Sequence, residues 1–440
     1  MKVRFAVAAA LAVGLTAASL AGCSSSGSSD GSTTITEWVV PNGPNGEAST
    51  KAALDPLVAK FKQQTGITVD YSIIQWSGLL TKINSAIASG QGPDLTELGD
   101  SWTASLAGTG SFVPWTADAF AKIGGKDKFS PHALTMTGRP GEDGISIPLY
   151  AASYALYYNK AMFAAAGIAK PPATWDEFVA DAKKLTKPGQ WGVAMDMSNL
   201  SSMETWDWIL ATQFGGRYFD NKSNQATVND PKVVEALKFF LDWISSDKIM
   251  SPDNASYSAN QAETQFAQGK AAMNISAVPA AFKASGMPDS DWATAPIPMT
   301  SANPPTGQAV MSHVDTINVA IMKSTKNLDA AYKWLKFLTD PAAQTALNSA
   351  YGKIPPTTAA AAQPEFTSDQ KDVVWQKIQS KYAAPMPYQD DAAQLDEAVS
   401  RAIGQLSQTA AASGGISQQQ VKGVLDAVQA AAVAREKTGG

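Results

Sequence analysis

The chain has 440 residues, 34 basic and 39 acidic side chains, two histidines and one cysteine, Cys23, with 12 Trp and 11 Tyr among its aromatics. A net charge of −5 argues against a nucleic-acid partner, which calls for a basic face. A single cysteine excludes an internal disulfide and a Cys-x-x-Cys metal site, so the fold must rest on its core. A chain of this length builds such a core most simply as two domains.

At the N-terminus, Lys2 and Arg4 precede an apolar run from Phe5 to Leu20, broken only by Gly14, Thr16 and Ser19. Its length suits a signal-peptide core and is short for crossing a bilayer. Leu20-Ala21-Gly22-Cys23 resembles the bacterial lipobox, in which small residues let the chain lie extended in a peptidase cleft and the thiol takes up diacylglycerol. Residues 1–23 are therefore expected to be a lipoprotein signal ending at lipidated Cys23. Residues 24–33, nearly all Ser and Gly, then form a flexible tether to the membrane. Loss of Lys2 and Arg4 leaves 32 basic against 39 acidic side chains.

Thr34–Val40 reads as a buried strand, followed by a polar loop at 41–49 that contains Asn45. Leu54, Leu57, Val58 and Phe61 repeat at helical spacing, and Gly66 closes that helix. Ile67, Val69, Tyr71 and Ile73 alternate as in a strand; Trp76, Leu80, Ile83 and Ile87 predict a second helix, and Asp94–Leu98 a third strand. Strands alternating with helices imply a mainly parallel sheet covered on both faces, with ligands at the carboxyl ends of its strands. A second α/β unit begins near Ile145, with a strand at Tyr154–Tyr158 and a helix at Lys160–Ala166. Thr174-Trp175-Asp176-Glu177 spells a capping box. Further helices are expected at 204–212, 231–245 and 328–338, strands at 191–195, 272–275 and 316–322, and an Ala-rich helical remainder from Pro341.

The segment I-P-L-Y-A-A-S-Y-A-L-Y-Y-N-K-A-M-F-A-A-A-G (Ile147–Gly167) with P-P-A-T-W-D-E-F (Pro171–Phe178) resembles the hallmark of family 1 extracellular solute-binding proteins, the maltose- and glycerol-phosphate-binding-like receptors of ABC importers. A-S-G-Q-G-P-D-L (Ala88–Leu95), F-A-Q-G-K-A-A-M (Phe266–Met273), the stretch Ala330–Gln344, Gly352-Lys353-Ile354-Pro355 and Gly414–Ser417 match in the same order. The resemblance implies an α/β, two-lobed periplasmic-binding-protein-like fold, with two mainly parallel sheets flanked by helices and a hinge between the lobes. One lobe would hold 34–149 with 300–339, the other 150–299 with 340–440. It also implies a monomer that captures a carbohydrate and hands it to the permease subunits of an ABC transporter, with no cofactor and no metal.

Carried over by position, the resemblance places Asp100 where relatives accept hydrogen bonds from sugar hydroxyls, with capping of the next helix as its alternative role. Trp102 stands beside it, Trp76 opens a helix, and Tyr150 sits at the first crossing between lobes. Trp206 and Trp208 precede Gly215-Gly216 in a ligand-facing segment, one of them expected in the core. Ser276 follows a strand, and Lys353 lies in the G-x-x-P turn. His313 and Asp315 stand where relatives more often have a Gly-Gly turn, and Val278-Pro279 where they have an aromatic. Such residues suit sugars because hydroxyls both donate and accept, and the C–H face of the ring packs on aromatics. Two rivals remain. A secreted enzyme such as a glycosidase finds no G-x-S-x-G, H-E-x-x-H or P-loop motif, and Asp390-Asp391 reads as solvated surface. The second keeps the fold and changes the cargo to a non-sugar solute, although a phosphate would favour an Arg-lined cleft and the mature chain has few arginines.

Overall fold

The computed structural model describes residues 33–200, 203–220, 225–387 and 392–438; the signal segment, Cys23 and Asp390-Asp391 lie outside the described residues. In chain order the strands are β1 (Thr34–Val39), β2 (Thr68–Ile73), β3 (Leu95–Gly99), β4 (Ile147–Ala152), β5 (Ala155–Asn159) and β6 (Trp191–Ala194). They continue as β7 (Ala271–Ser276), β8 (Trp292–Ala295), β9 (Ser312–His313), β10 (Asp315–Ile321) and β11 (Ala383–Ala384).

One sheet runs β2-β1-β3-β10-β4 and the other β6-β7-β5-β8, with β9 and β11 as a short separate pair. These sheets are the frames of the two lobes. They are mixed rather than mainly parallel, contrary to the sequence expectation. β1 pairs in parallel with β2 and β3, but β10 runs antiparallel to β3 and β4. In the other sheet β5 is antiparallel to both neighbours, and only β6 and β7 are parallel. The cause is the path of the chain. β4 leaves the first sheet, Ser153 and Tyr154 carry it across, and β5 enters the second; β10 later returns. β5 and β10, the strands by which the chain enters one lobe from the other, run against the rest of their sheets.

Local signals act as their chemistry requires. The helix Glu47–Thr65 buries Leu54, Leu57 and Phe61, and Gly66 ends it at φ 73°, a left-handed conformation glycine adopts without strain. The Thr174 hydroxyl accepts from the Glu177 amide while the Glu177 carboxylate reaches back to the cap, starting the helix Trp175–Leu185. The first lobe's core gathers Ile35, Leu54, Phe61, Leu95, Val319 and Trp334. The second is dominated by aromatics, among them Trp175, Phe178, Trp206, Phe240 and Trp243.

One boundary moves. The helix Pro341–Tyr351, assigned from sequence to the C-terminal lobe, packs on Glu47–Thr65 and contributes Ala343, Leu347 and Tyr351 to the first lobe's core. That apolar stripe at i, i+4 and i+8 needs the face that Leu54 and Leu57 offer. Beyond this helix the chain stays with the first lobe, where Ile354 exchanges backbone hydrogen bonds with Ala151 of β4 and Thr357 bridges Phe129.

Candidate functional site

The carboxyl ends of β1, β2 and β3 carry the first group of residues. Trp76 opens the helix Trp76–Ser89 just after β2, and Trp102 belongs to the turn Asp100–Trp102 just after β3. Their rings meet edge to face at 5.5 Å and 72°, and both remain partly exposed. Gly99 lies beneath this pair, its missing Cβ position 3.6 Å from both indoles. Asn45, in the loop after β1, is exposed and donates its amide to Ser49 Oγ at 3.1 Å.

Asp100 is only 7% exposed. One carboxylate oxygen accepts the Ser101 amide at 2.7 Å and the other the Thr316 amide of β10 at 3.0 Å. The expected capping role is not met, since the N-cap positions here are Gly99 and Trp102; Asp100 instead lies within the turn and ties it to the interlobe strand, and each oxygen keeps a further lone pair. Burial pushes the carboxyl well above its usual range, and nearby Asp315 and Glu204 push it further, against the two amides. His313 Nε2 stands 3.9 Å from Asp100 Oδ2 and 3.9 Å from Asp315 Oδ1. Burial holds this imidazole below its ordinary value; Asp315 opposes that shift and Lys353 adds to it. Asp100, His313 and Asp315 offer one ligand atom each within 4.8 Å of one another, the kind of set that can surround a cation. Lys353 follows Gly352, whose φ of 63° turns the chain out of the helix Pro341–Tyr351.

Facing Asp100 across a cavity of ≈ 10 Å³ are Tyr218, Phe219, Met386, Pro387 and Asp396. That space holds about one water, so a larger solute enters only if its walls part. The helix Ala392–Ser413 of the second lobe also packs on the turn Asp100–Trp102. Behind these residues Glu204 is buried, its carboxylate accepting from Thr205 Oγ1 at 2.5 Å and from Ser400 Oγ at 2.9 Å. Asp207 accepts from the Tyr218 hydroxyl at 2.6 Å, and burial raises its carboxyl to about 7 against that bond.

Four expected contacts fall elsewhere. Trp206 is 0% exposed, its ring among Tyr154, Trp175, Phe240 and Trp243 at centroid distances of 5.9 to 6.3 Å. The helix Met203–Gln213 is buried on nearly every side, so spacing within it cannot give one tryptophan to the cleft. Trp208 is also buried in that core. Tyr150 is buried on β4, edge to face with Tyr351 at 5.1 Å and bonded through its hydroxyl to Glu97. Ser276 ends β7, buried, its hydroxyl accepting the Val278 amide at 3.0 Å. Gly215-Gly216 serves packing: a Cβ on Gly216 would lie 2.8 Å from the Val233 amide nitrogen.

Sequence reasoning passed over Glu204, Tyr218, Phe219 and Asp396. Glu204 left a signal, an acidic residue at the head of a helix otherwise rich in apolar side chains. Tyr218 and Phe219 left another, two aromatics directly after a glycine pair.

Residues 46–345 match the family described as bacterial extracellular solute-binding protein. A binding protein of Brucella abortus is 28% identical over 312 residues, 69% of this chain and 71% of its own length. A maltotriose-binding protein of Pyrococcus abyssi is 28% identical over 68% of this chain and 63% of its own length. The diacetylchitobiose-binding protein of Streptomyces coelicolor is 25% identical over 73% of each chain. Among solved structures, maltose-bound MalE3 of T. maritima superposes with a TM-score of 0.76 at 21% identity, covering 91% of this chain and 100% of its own. The GacH receptor of Streptomyces glaucescens, solved unliganded and with acarbose, gives 0.75 at 22% identity, covering 91% and 99%. With two lobes joined by commuting strands and a family match over most of the described chain, this protein belongs to the bacterial extracellular solute-binding proteins.

Proposed function

We propose that the protein is the extracytoplasmic receptor of an ATP-driven importer, capturing a carbohydrate between its lobes and presenting it to the permease. The observation that carries this reading is the partly exposed Trp76–Trp102 pair at the carboxyl ends of β2 and β3, next in the chain to the buried carboxylate of Asp100, which shares a cavity with Tyr218 and Phe219. Aromatic faces take the C–H side of a sugar ring and a fixed carboxylate takes its hydroxyls. Closure of the second lobe removes water and strengthens both. The relatives named for maltotriose and diacetylchitobiose support a sugar as cargo. Cys23 as lipid anchor and a monomeric state belong to the same proposal, as do Asn45 and Lys353 as further contacts.

The test is a thermal-shift screen of the purified protein against mono- and oligosaccharides, followed by calorimetric titration. A ligand bound only by the native state raises its melting temperature. Trp76→Ala and Trp102→Ala are each expected to weaken the best sugar by about 1–2 kcal/mol. A protein stabilised by amino acids or glycerophosphodiesters, and by no sugar, would overturn the carbohydrate reading.

A further inference from the structure

We propose that Asp100, His313 and Asp315 form a receptor for a primary ammonium group on the captured solute, so that the preferred cargo is an amine-bearing sugar. This rests on the reading of the cleft as a carbohydrate site and narrows it to a class of sugar.

The spacing of the three groups is the first argument. His313 Nε2 lies 3.9 Å from an oxygen of each carboxylate, and one ligand atom from each residue falls within 4.8 Å of the other two. A metal ion at about 2.1 Å from its ligands would hold neighbouring ligand atoms roughly 3.0–3.5 Å apart. An ammonium nitrogen donating tetrahedrally at about 2.8 Å sets its three acceptors roughly 4.5 Å apart. The 3.9 Å separations exceed those of a bound metal and fall short of the tetrahedral ideal, so an ammonium meets all three acceptors through bent hydrogen bonds.

The second argument is His313 itself. Its residue is 8% exposed, its Nδ1 has no hydrogen-bond partner, and its Nε2 faces the two carboxylates beyond hydrogen-bond distance. The Nε2 edge, which makes no hydrogen bond among the described residues, is the one a donor on the solute can meet. Burial favours its neutral form, which presents a lone pair and can accept an N–H.

The third is charge. Asp100 is buried with Asp315 beside His313, and both Asp315 and Glu204 act on its carboxyl. Lys353 is the cation felt by His313, and among the described residues it makes no ion pair within 4.0 Å. A cation delivered by the solute relieves this imbalance, whereas a neutral hydroxyl does not. The Ser101 and Thr316 amides already fix the Asp100 carboxylate, so little ordering remains to be done on binding.

Calorimetric titration at pH 6 compares glucosamine and its di- to tetrasaccharides with their N-acetylated forms and with glucose oligomers. The amine-bearing sugars are expected to bind at least tenfold more tightly. Asp315→Asn and His313→Gln are each expected to cut that preference at least tenfold. Equal or tighter binding of neutral sugars, with the variants leaving the ratio unchanged, overturns the ammonium assignment and leaves the carbohydrate reading standing. Binding of 1,4-diaminobutane with no sugar bound overturns the carbohydrate reading instead. A rise in melting temperature with Mn²⁺ or Zn²⁺ alone, abolished by His313→Gln, makes the cluster a metal site and also overturns the proposal.

Discussion

Trimming Trp206 to Phe and to Ala separates packing from recognition at the residue whose role changed most between sequence and structure. Its indole is fully buried among Tyr154, Trp175, Phe240 and Trp243. Removal to Ala leaves a cavity that four rigid rings cannot fill by collapse, and such changes cost about 3–5 kcal/mol. That is a large part of the roughly 5–15 kcal/mol by which a native protein is stable. Phe retains most of the ring contacts. It loses about 40 Å³, near 1 kcal/mol at 24 cal/mol per Å³ of cavity. Against this, the indole Nε1 is buried with no hydrogen-bond partner, so its loss returns part of the cost. Trp206→Phe is thus expected to destabilise by about 1 kcal/mol, and Trp206→Ala by several times as much. Urea denaturation of the ligand-free protein gives both numbers, with calorimetric titration of the best sugar alongside. Affinity of the Phe variant should stay within threefold of the wild type. Unchanged stability with binding weakened tenfold would show that the indole faces the ligand and that the packing argument is wrong.

Asp100→Ala should weaken sugar binding by about 2–4 kcal/mol, because hydrogen bonds to charged groups are each worth about 1.5–3; a calorimetric affinity equal to wild type removes Asp100 from the site. Burial raises Glu97 to about 8 and Glu37 to about 7, above their usual 4.5. The stability they contribute is present below pH 4.5 and is lost as pH rises through 7–8. The ligand-free protein should therefore unfold at lower urea at pH 9 than at pH 5.5, and Glu97→Gln should flatten the slope; greater stability at pH 9 would contradict the shifts. Cys23→Ala should give unlipidated precursor absent from the membrane fraction, and metabolic labelling with a fatty acid that still marks the variant would refute the anchor.

Local chemistry made much of this fold legible. Thr174 and Glu177 start a helix wherever they stand three residues apart at its head, because the free amides they satisfy belong to that helix alone. Alternation from Val69 to Ile73 and the stripe of Leu54, Leu57 and Phe61 are likewise set by the period of the backbone that buries them. The resemblance of Ile147–Gly167 carried the two-lobed architecture, and the position of Asp100 after β3 was readable from where a strand gives way to a turn. What a residue touches depends on segments distant in sequence. Trp76 and Trp206 both sit in helices of mixed character, yet one remains partly exposed and the other is enclosed by three separate chain segments. The direction of β10 and β5 follows from which lobe the chain enters next, which hydrophobic period does not encode. Tyr150 reads from its position at the crossing as a cleft residue, yet Glu97, 53 positions earlier, takes its hydroxyl. The meeting of Asp100 with His313 and Asp315 joins parts of the chain more than 200 residues apart. Only the pairing of β3 with β10 brings those side chains within reach of one another.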